Sequence, residues 1–228
     1  MADLPSTSAA LARMIDHTAL SPSTTAAAID RLCAEARSHA MFSVCVNPCW
    51  VGRASRALAG SEVSVCTVVG FPLGANASET KANEAALAVA AGADELDMVL
   101  NVGWLLDGRA DAVREDVAAV VGAAGGRVVK VILEVALLSP AQIEAASALA
   151  VAGGASFVKT STGFGPGGAT VEAVAAMRAT VGLTIGVKAS GGIRDAATAR
   201  RMIEAGATRL GASASLAILA GWDAARTA

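Results

Sequence analysis

The sequence predicts a single-domain α/β protein built as a closed TIM-type (β/α)8 barrel over residues 1–228. Three observations predict it. Short β-branched runs alternate with alanine-rich helical stretches about eight times, as such a barrel requires. Within the runs, polar and ionisable residues fall on one face and apolar residues on the other, following the two-residue period of a strand. The joints where a helix hands over to a strand also recur: Ala91-Gly92-Ala93-Asp94, Gly153-Gly154-Ala155-Ser156 and Ala205-Gly206-Ala207-Thr208 each offer a glycine for a left-handed helix end. Alternation alone also fits a doubly wound open sheet. The face pattern favours the barrel, because a sheet covered by helices on both sides has no use for a polar face, whereas a barrel lumen opens into an active site.

Taken in order, the first strand is expected over 14–18, with Asp16 and Thr18 inward and His17 structural on the outer face. A helix over 24–40 leads to a strand over 43–47, where Cys45 and Asn47 oppose Val44 and Val46. Helix 48–59, strand 63–69 and helix 78–91 follow. Strand 95–101 places Glu95, Asp97 and Val99 opposite Leu96, Met98 and Leu100. After helix 111–122, strand 128–135 turns Lys130 and Glu134 inward, where the two are expected to pair with each other. Helix 140–152 precedes strand 156–160, which carries Lys159. Helix 171–180, strand 184–189 with Lys188, helix 195–205, strand 208–212 and helix 215–220 complete the barrel.

Composition narrows the function. Hydrophobic residues make up 54% of the chain, yet no uninterrupted apolar segment reaches the length of a membrane span. Met1-Ala2-Asp3-Leu4-Pro5 lacks the basic start and apolar block of a signal peptide, so the expected location is the cytoplasm. A net charge of -2 and an aromatic fraction of 3% leave neither a basic footprint nor stacking residues for nucleic acid. Four scattered cysteines predict reduced thiols rather than a disulfide framework. With only His17 and His39 available, no metal site and no cofactor are expected, and a zinc-dependent aldolase is disfavoured. The absence of tyrosine removes phenol acid/base mechanisms.

Two lysines carry the chemical signal. Lys159 and Lys188 each close an apolar run and are each followed by a glycine-containing turn. If their strands are neighbours, two cations meet in a partly dehydrated place, and both effects favour the neutral amine that Schiff-base chemistry needs. Asp97 is the inward carboxylate that could move protons between them. Gly163-Phe164-Gly165-Pro166-Gly167-Gly168 matches a dinucleotide fingerprint in form. The following strand, however, ends in Lys188 rather than in a ribose-holding acid, and Pro166 removes one amide, so the segment reads as a mobile active-site loop. Ser190-Gly191-Gly192-Ile193-Arg194 and Gly211-Ala212-Ser213-Ala214-Ser215 both run from a strand into a helix, and together they suggest the phosphate site that barrels build from their last two loops.

With these residues assembled, the chain resembles deoxyribose-phosphate aldolases over almost its whole length. The resemblance lies in Asp94-Glu95-Leu96-Asp97-Met98-Val99-Leu100-Asn101-Val102-Gly103, Val129-Lys130-Val131-Ile132-Leu133-Glu134, Phe157-Val158-Lys159-Thr160-Ser161-Thr162-Gly163-Phe164 and Val187-Lys188-Ala189-Ser190-Gly191-Gly192-Ile193-Arg194. Ile15-Asp16-His17-Thr18 and Val69-Gly70-Phe71-Pro72-Leu73-Gly74 add to it. The resemblance implies a metal-free class I aldolase that reversibly cleaves 2-deoxy-D-ribose 5-phosphate to acetaldehyde and D-glyceraldehyde 3-phosphate. It implies Lys159 as the Schiff-base lysine, Lys188 as the cation that favours its neutral form, and Asp97 as their acid/base partner. Asp16, Thr18, Cys45 and Lys130 would serve the sugar, and Gly163, Gly191, Gly192 and Ser213 the phosphate. Val135 and Ala214 depart from the family pattern, the second where a serine pair is usual. A dimer or tetramer is expected by analogy with other barrel aldolases. The rival readings are another Schiff-base lyase, such as a transaldolase-like enzyme, and a phosphosugar-binding barrel without catalysis.

Overall fold

The computed structural model describes residues 4–224. Eight parallel strands close into a barrel in sequence order, with β1 (Ile15–Ala19) hydrogen-bonded to both β2 (Ser43–Val46) and β8 (Arg209–Ala212). Between them stand β3 (Ser64–Val69), β4 (Glu95–Val99), β5 (Val128–Ile132), β6 (Phe157–Lys159) and β7 (Gly186–Ser190). The open-sheet alternative is thereby excluded.

The outer ring consists of α2 (Ala26–Ser38), α3 (Val51–Leu58), α4 (Ser78–Ala90), α6 (Ala110–Ala123), α7 (Pro140–Ala152), α8 (Val171–Val181), α9 (Ala196–Glu204) and α10 (Ser215–Ala224). Local sequence explains their ends. Thr25, Thr170 and Asp195 are N-caps whose side chains accept from the backbone three residues on, and Ser139 forms a capping box with Gln142 ahead of Pro140. At the recurring joints Gly92, Gly154 and Gly206 have φ of 105°, 94° and 113°, so glycine does supply the left-handed exit. The main core lies between barrel and helices, where Leu96, Met98, Val129 and Val131 from the outer strand faces are fully covered.

Several boundaries differ from expectation. The helix expected over 48–59 begins as a 3-10 turn, Pro48–Trp50, before α3. β5 stops at Ile132 because Glu134 takes a left-handed conformation (φ 56°) that opens a second 3-10 turn, Val135–Leu137. β7 is shifted to Gly186–Ser190. Two short helices were not expected: α1 (Ser8–Ala12), which buries Leu11 and Ala12, and α5 (Val102–Leu106), capped by Asn101. Among the described residues no helix is long and apolar enough to cross a membrane.

Candidate active site

The inner faces of the strands build a charged lumen. Lys159 of β6 and Lys188 of β7 are register partners, as are Asp97 of β4 and Lys130 of β5. Parallel register puts both pairs on the inner face, where Asp97 becomes the hub. Its Oδ2 accepts from Lys159 Nζ at 2.8 Å and from Lys188 Nζ at 2.7 Å. Its Oδ1 accepts from Lys130 Nζ at 2.7 Å and from Cys66 Sγ at 3.2 Å. Lys188 also donates to Asp16 Oδ2, whose other oxygen accepts from Arg209 Nη1 at 2.8 Å. Arg209 reaches Glu95 at 3.1 Å, and Glu95 lies 2.7 Å from Lys130.

Small residues make room for this network. A Cβ at Gly186 would lie 2.1 Å from the Phe157 ring, and one at Gly211 would lie 3.0 Å from Lys188 Cε. At the lower end Arg209 stacks on Phe42, its Cζ 3.3 Å from the ring centroid, with Phe157 at 5.4 Å. The floor is thus a guanidinium held between aromatic rings and carboxylates.

Electrostatics follow from burial opposed by pairing. Burial alone would raise the Asp97 carboxyl, but Lys130, Lys159 and Lys188 together hold it well below the usual carboxylate range. Asp16 is likewise lowered against burial by Lys188, Lys130 and Arg209. Burial would strip Lys188 of its proton, yet Asp16 and Asp97 outweigh it and keep the group charged well into alkaline pH. Lys130 is raised in the same way by Asp97, Cys66, Asp16 and Glu95. Lys188 is therefore a standing cation beside Lys159. The Cys66 thiol is pushed far up by burial, while its hydrogen bond lowers that of Cys45.

Above Lys159 opens a cleft of about 480 Å³ at the C-terminal ends of the strands. Thr18, Lys159, Gly163, Gly191, Gly192 and Ser213 line it, so these six expected site residues converge. Asp16, Cys45, Asp97, Lys130 and Lys188 are fully buried beneath it. The loops after β6 and β7 are locked together: Gly191 O accepts from Ala169 N at 3.0 Å, and a Cβ on Gly168 would lie 2.2 Å from that oxygen. Ser190 Oγ donates to Ser161 O at 2.7 Å, joining the same two loops. The helix after β7 is already capped, since Asp195 Oδ1 accepts from Thr198 N at 2.7 Å.

The structure corrects one expectation and adds to others. Lys130 and Glu134 do not pair: Lys130 bonds Asp97 and Glu95, whereas Glu134 accepts from the Thr162 backbone and hydroxyl, because its left-handed backbone lifts it out of the lumen register. His17 lies on the outer face as expected, between Ser215 and Glu35. Arg194, Phe164 and Leu20 line the cleft without having been singled out. Glu95 and Arg209 were missed as network members. Glu95 shares the face of Asp97, and Arg209 stands two residues before Gly211, which was the available signal.

Among the described residues two groups of potential metal ligands occur, both in the lumen: Cys45 with Cys66 and Asp97, and Asp16 with Cys66 and Glu95. Both share their carboxylates with lysine or arginine donors, so a metal cation would displace existing ion pairs.

A parallel barrel with a lysine-bearing cleft at the C-terminal ends of its strands has the architecture of a TIM-barrel enzyme, and the comparisons give its class as an aldolase. The chain belongs to the DeoC/LacD family of aldolases, whose model matches residues 10–224. It is 56% identical over 209 residues to the deoxyribose-phosphate aldolase of Brevibacillus brevis, covering 92% of this chain and 95% of that one. Identity to the deoxyribose-phosphate aldolase of an Exiguobacterium species is 57% over 212 residues, covering 92% and 96%. Among solved structures, the tetrameric deoxyribose phosphate aldolase of Aeropyrum pernix superposes with a TM-score of 0.89 at 34% identity, covering 96% of this chain and 93% of that one.

Proposed function

We propose that this chain is a class I aldolase that reversibly cleaves 2-deoxy-D-ribose 5-phosphate to acetaldehyde and D-glyceraldehyde 3-phosphate through a Schiff base on Lys159. The observation that carries the reading is the placement of Lys159 alone among the lumen lysines at the cleft floor, against a carboxylate shared with Lys188. The neutral Lys159 amine attacks the aldehyde carbon, and loss of water gives an iminium. The iminium takes up the electron pair of the bond between the second and third carbons as the 3-hydroxyl loses its proton. D-Glyceraldehyde 3-phosphate leaves, and the enamine is protonated and hydrolysed to acetaldehyde.

Lys188 and Asp97 hold and move the protons through a water in the cleft. Thr18 meets the sugar directly, while Asp16, Cys45 and Lys130 form the layer behind it. Gly163, Gly191, Gly192 and Ser213, joined by Arg194, receive the phosphate and orient the reacting carbon. The reading includes a cytoplasmic, homo-oligomeric enzyme, a dimer or a tetramer, for which the tetrameric relative is the support.

The test is reductive trapping. Acetaldehyde with borohydride should leave an ethyl group on Lys159, located by peptide mass, and retro-aldol assays should favour deoxyribose 5-phosphate over fructose 6-phosphate and fructose 1,6-bisphosphate. A wild-type protein that forms no adduct is a binder and not an aldolase.

A further inference from the structure

The lumen contains four cationic side chains, Lys130, Lys159, Lys188 and Arg209, against three carboxylates, Asp16, Glu95 and Asp97. All seven are at least nine-tenths buried, so solvent screens their charges only weakly. The two remaining ionisable groups on the inner faces are the thiols of Cys45 and Cys66 on β2 and β3. Among the described residues outside the lumen, the exposed Arg194 lines the cleft, and Glu134 is bound by Thr162. Fully ionised, the lumen holds one positive charge too many, and loss of a single proton balances it.

Which cation gives up that proton follows from the contacts. Lys188 is shared by two carboxylates, Lys130 touches Asp97 and Glu95, and Arg209 touches Asp16 and Glu95. Lys159 has Asp97 alone and is the lumen cation that reaches the cleft. We propose that Arg209 and Glu95, at the closed floor of the barrel, are positioning residues that set the pH at which Lys159 becomes nucleophilic, by fixing the charge count of the lumen. Neither touches substrate. Arg209 supplies the surplus positive charge and ties down Asp16, while Glu95 limits that surplus and holds Lys130. The inference rests on Lys159 as the Schiff-base amine.

The experiment measures the rate of reductive trapping by acetaldehyde and borohydride against pH in the full-length protein. Removing a negative charge with Glu95→Gln should move the half-maximal pH of trapping downward. Removing a positive charge with Arg209→Met should move it upward. A unit charge about 10 Å away at an effective dielectric constant of about 20 corresponds to about one pH unit in each direction. The double variant restores the original charge balance and should return the midpoint to that of wild type, and Arg209→Lys should keep it there. A purely structural role would slow trapping additively without opposite shifts. Should Arg209→Met fail to fold, Glu95→Gln and the double variant still decide. Unmoved midpoints, or shifts of the same sign, overturn the proposal. Loss of trapping in wild type would instead refute the Schiff-base reading itself.

Discussion

Lys159 and Lys188 donate to one and the same oxygen, Asp97 Oδ2, from register-paired positions on adjacent strands. Two ammonium groups converging on a single acceptor repel each other, and a second carboxylate holds one of them charged. Lys188 has Asp16 as that second partner. The pair is thereby divided into a lysine tied between two carboxylates and one that has Asp97 alone and lines the cleft.

Replacing Lys159 with alanine should reduce turnover by at least about 10⁴-fold, because the covalent route is lost entirely. Incubation with acetaldehyde and borohydride should label wild type and leave the variant unlabelled. Equal labelling of the variant would assign the chemistry to another lysine.

Lys188→Leu removes the standing cation. Turnover should fall by about 10²–10⁴-fold, and the trapping rate should need a higher pH to reach half its maximum. A pH profile superimposable on that of wild type would break the coupling between the two lysines.

Stability should fall steeply in acid. Asp16 and Asp97 are both held below their unfolded values, so their contribution is complete above about pH 4 and is lost as pH drops toward the folded values. The loss should be on the order of several kcal/mol, read as a falling urea midpoint below pH 4. A midpoint that stays constant from pH 6 to about pH 3 would contradict the assigned network.

Ser213→Ala should raise the KM for deoxyribose 5-phosphate by about 10- to 100-fold, the worth of a hydrogen bond to a charged group. Cleavage of unphosphorylated deoxyribose should be unaffected. If both substrates suffer equally, Ser213 does not serve the phosphate.

A further buried ion pair lies outside the lumen. Lys81 Nζ donates to Asp116 at 2.6 Å and to Val99 O at 3.0 Å, and Ser78 donates to Asp116 at 2.8 Å. Lys81→Met strands Asp116 and should cost about 3–5 kcal/mol in chemical denaturation. Steady-state kinetics of the folded variant should stay within an order of magnitude of wild type, since the pair does not reach the cleft.

The barrel was legible because strand parity reports which face each residue takes: Glu95 and Asp97 alternate with Leu96 and Met98, and the structure turns the first pair into the lumen. The lysines were legible through their position at strand ends. What the sequence withheld was long-range partnership. Glu134 has the parity to meet Lys130, but one left-handed residue redirects it to Thr162, and a backbone reversal of that kind leaves no mark in a β-branched run. Arg209 sits in a strand of four residues, too short for its own alternation to stand out.

The interlocked glycines at 168 and 191 divide the cleft wall into a part open to redesign and a part that is not. Any side chain at Gly168 would strike the Gly191 carbonyl and wedge the loops after β6 and β7 apart. Phe164, half-exposed and resting edge-on against Phe71 at 5.4 Å, carries no such constraint. Engineering toward bulkier aldehydes should therefore begin by trimming that aromatic gatepost and leave the glycine seam intact.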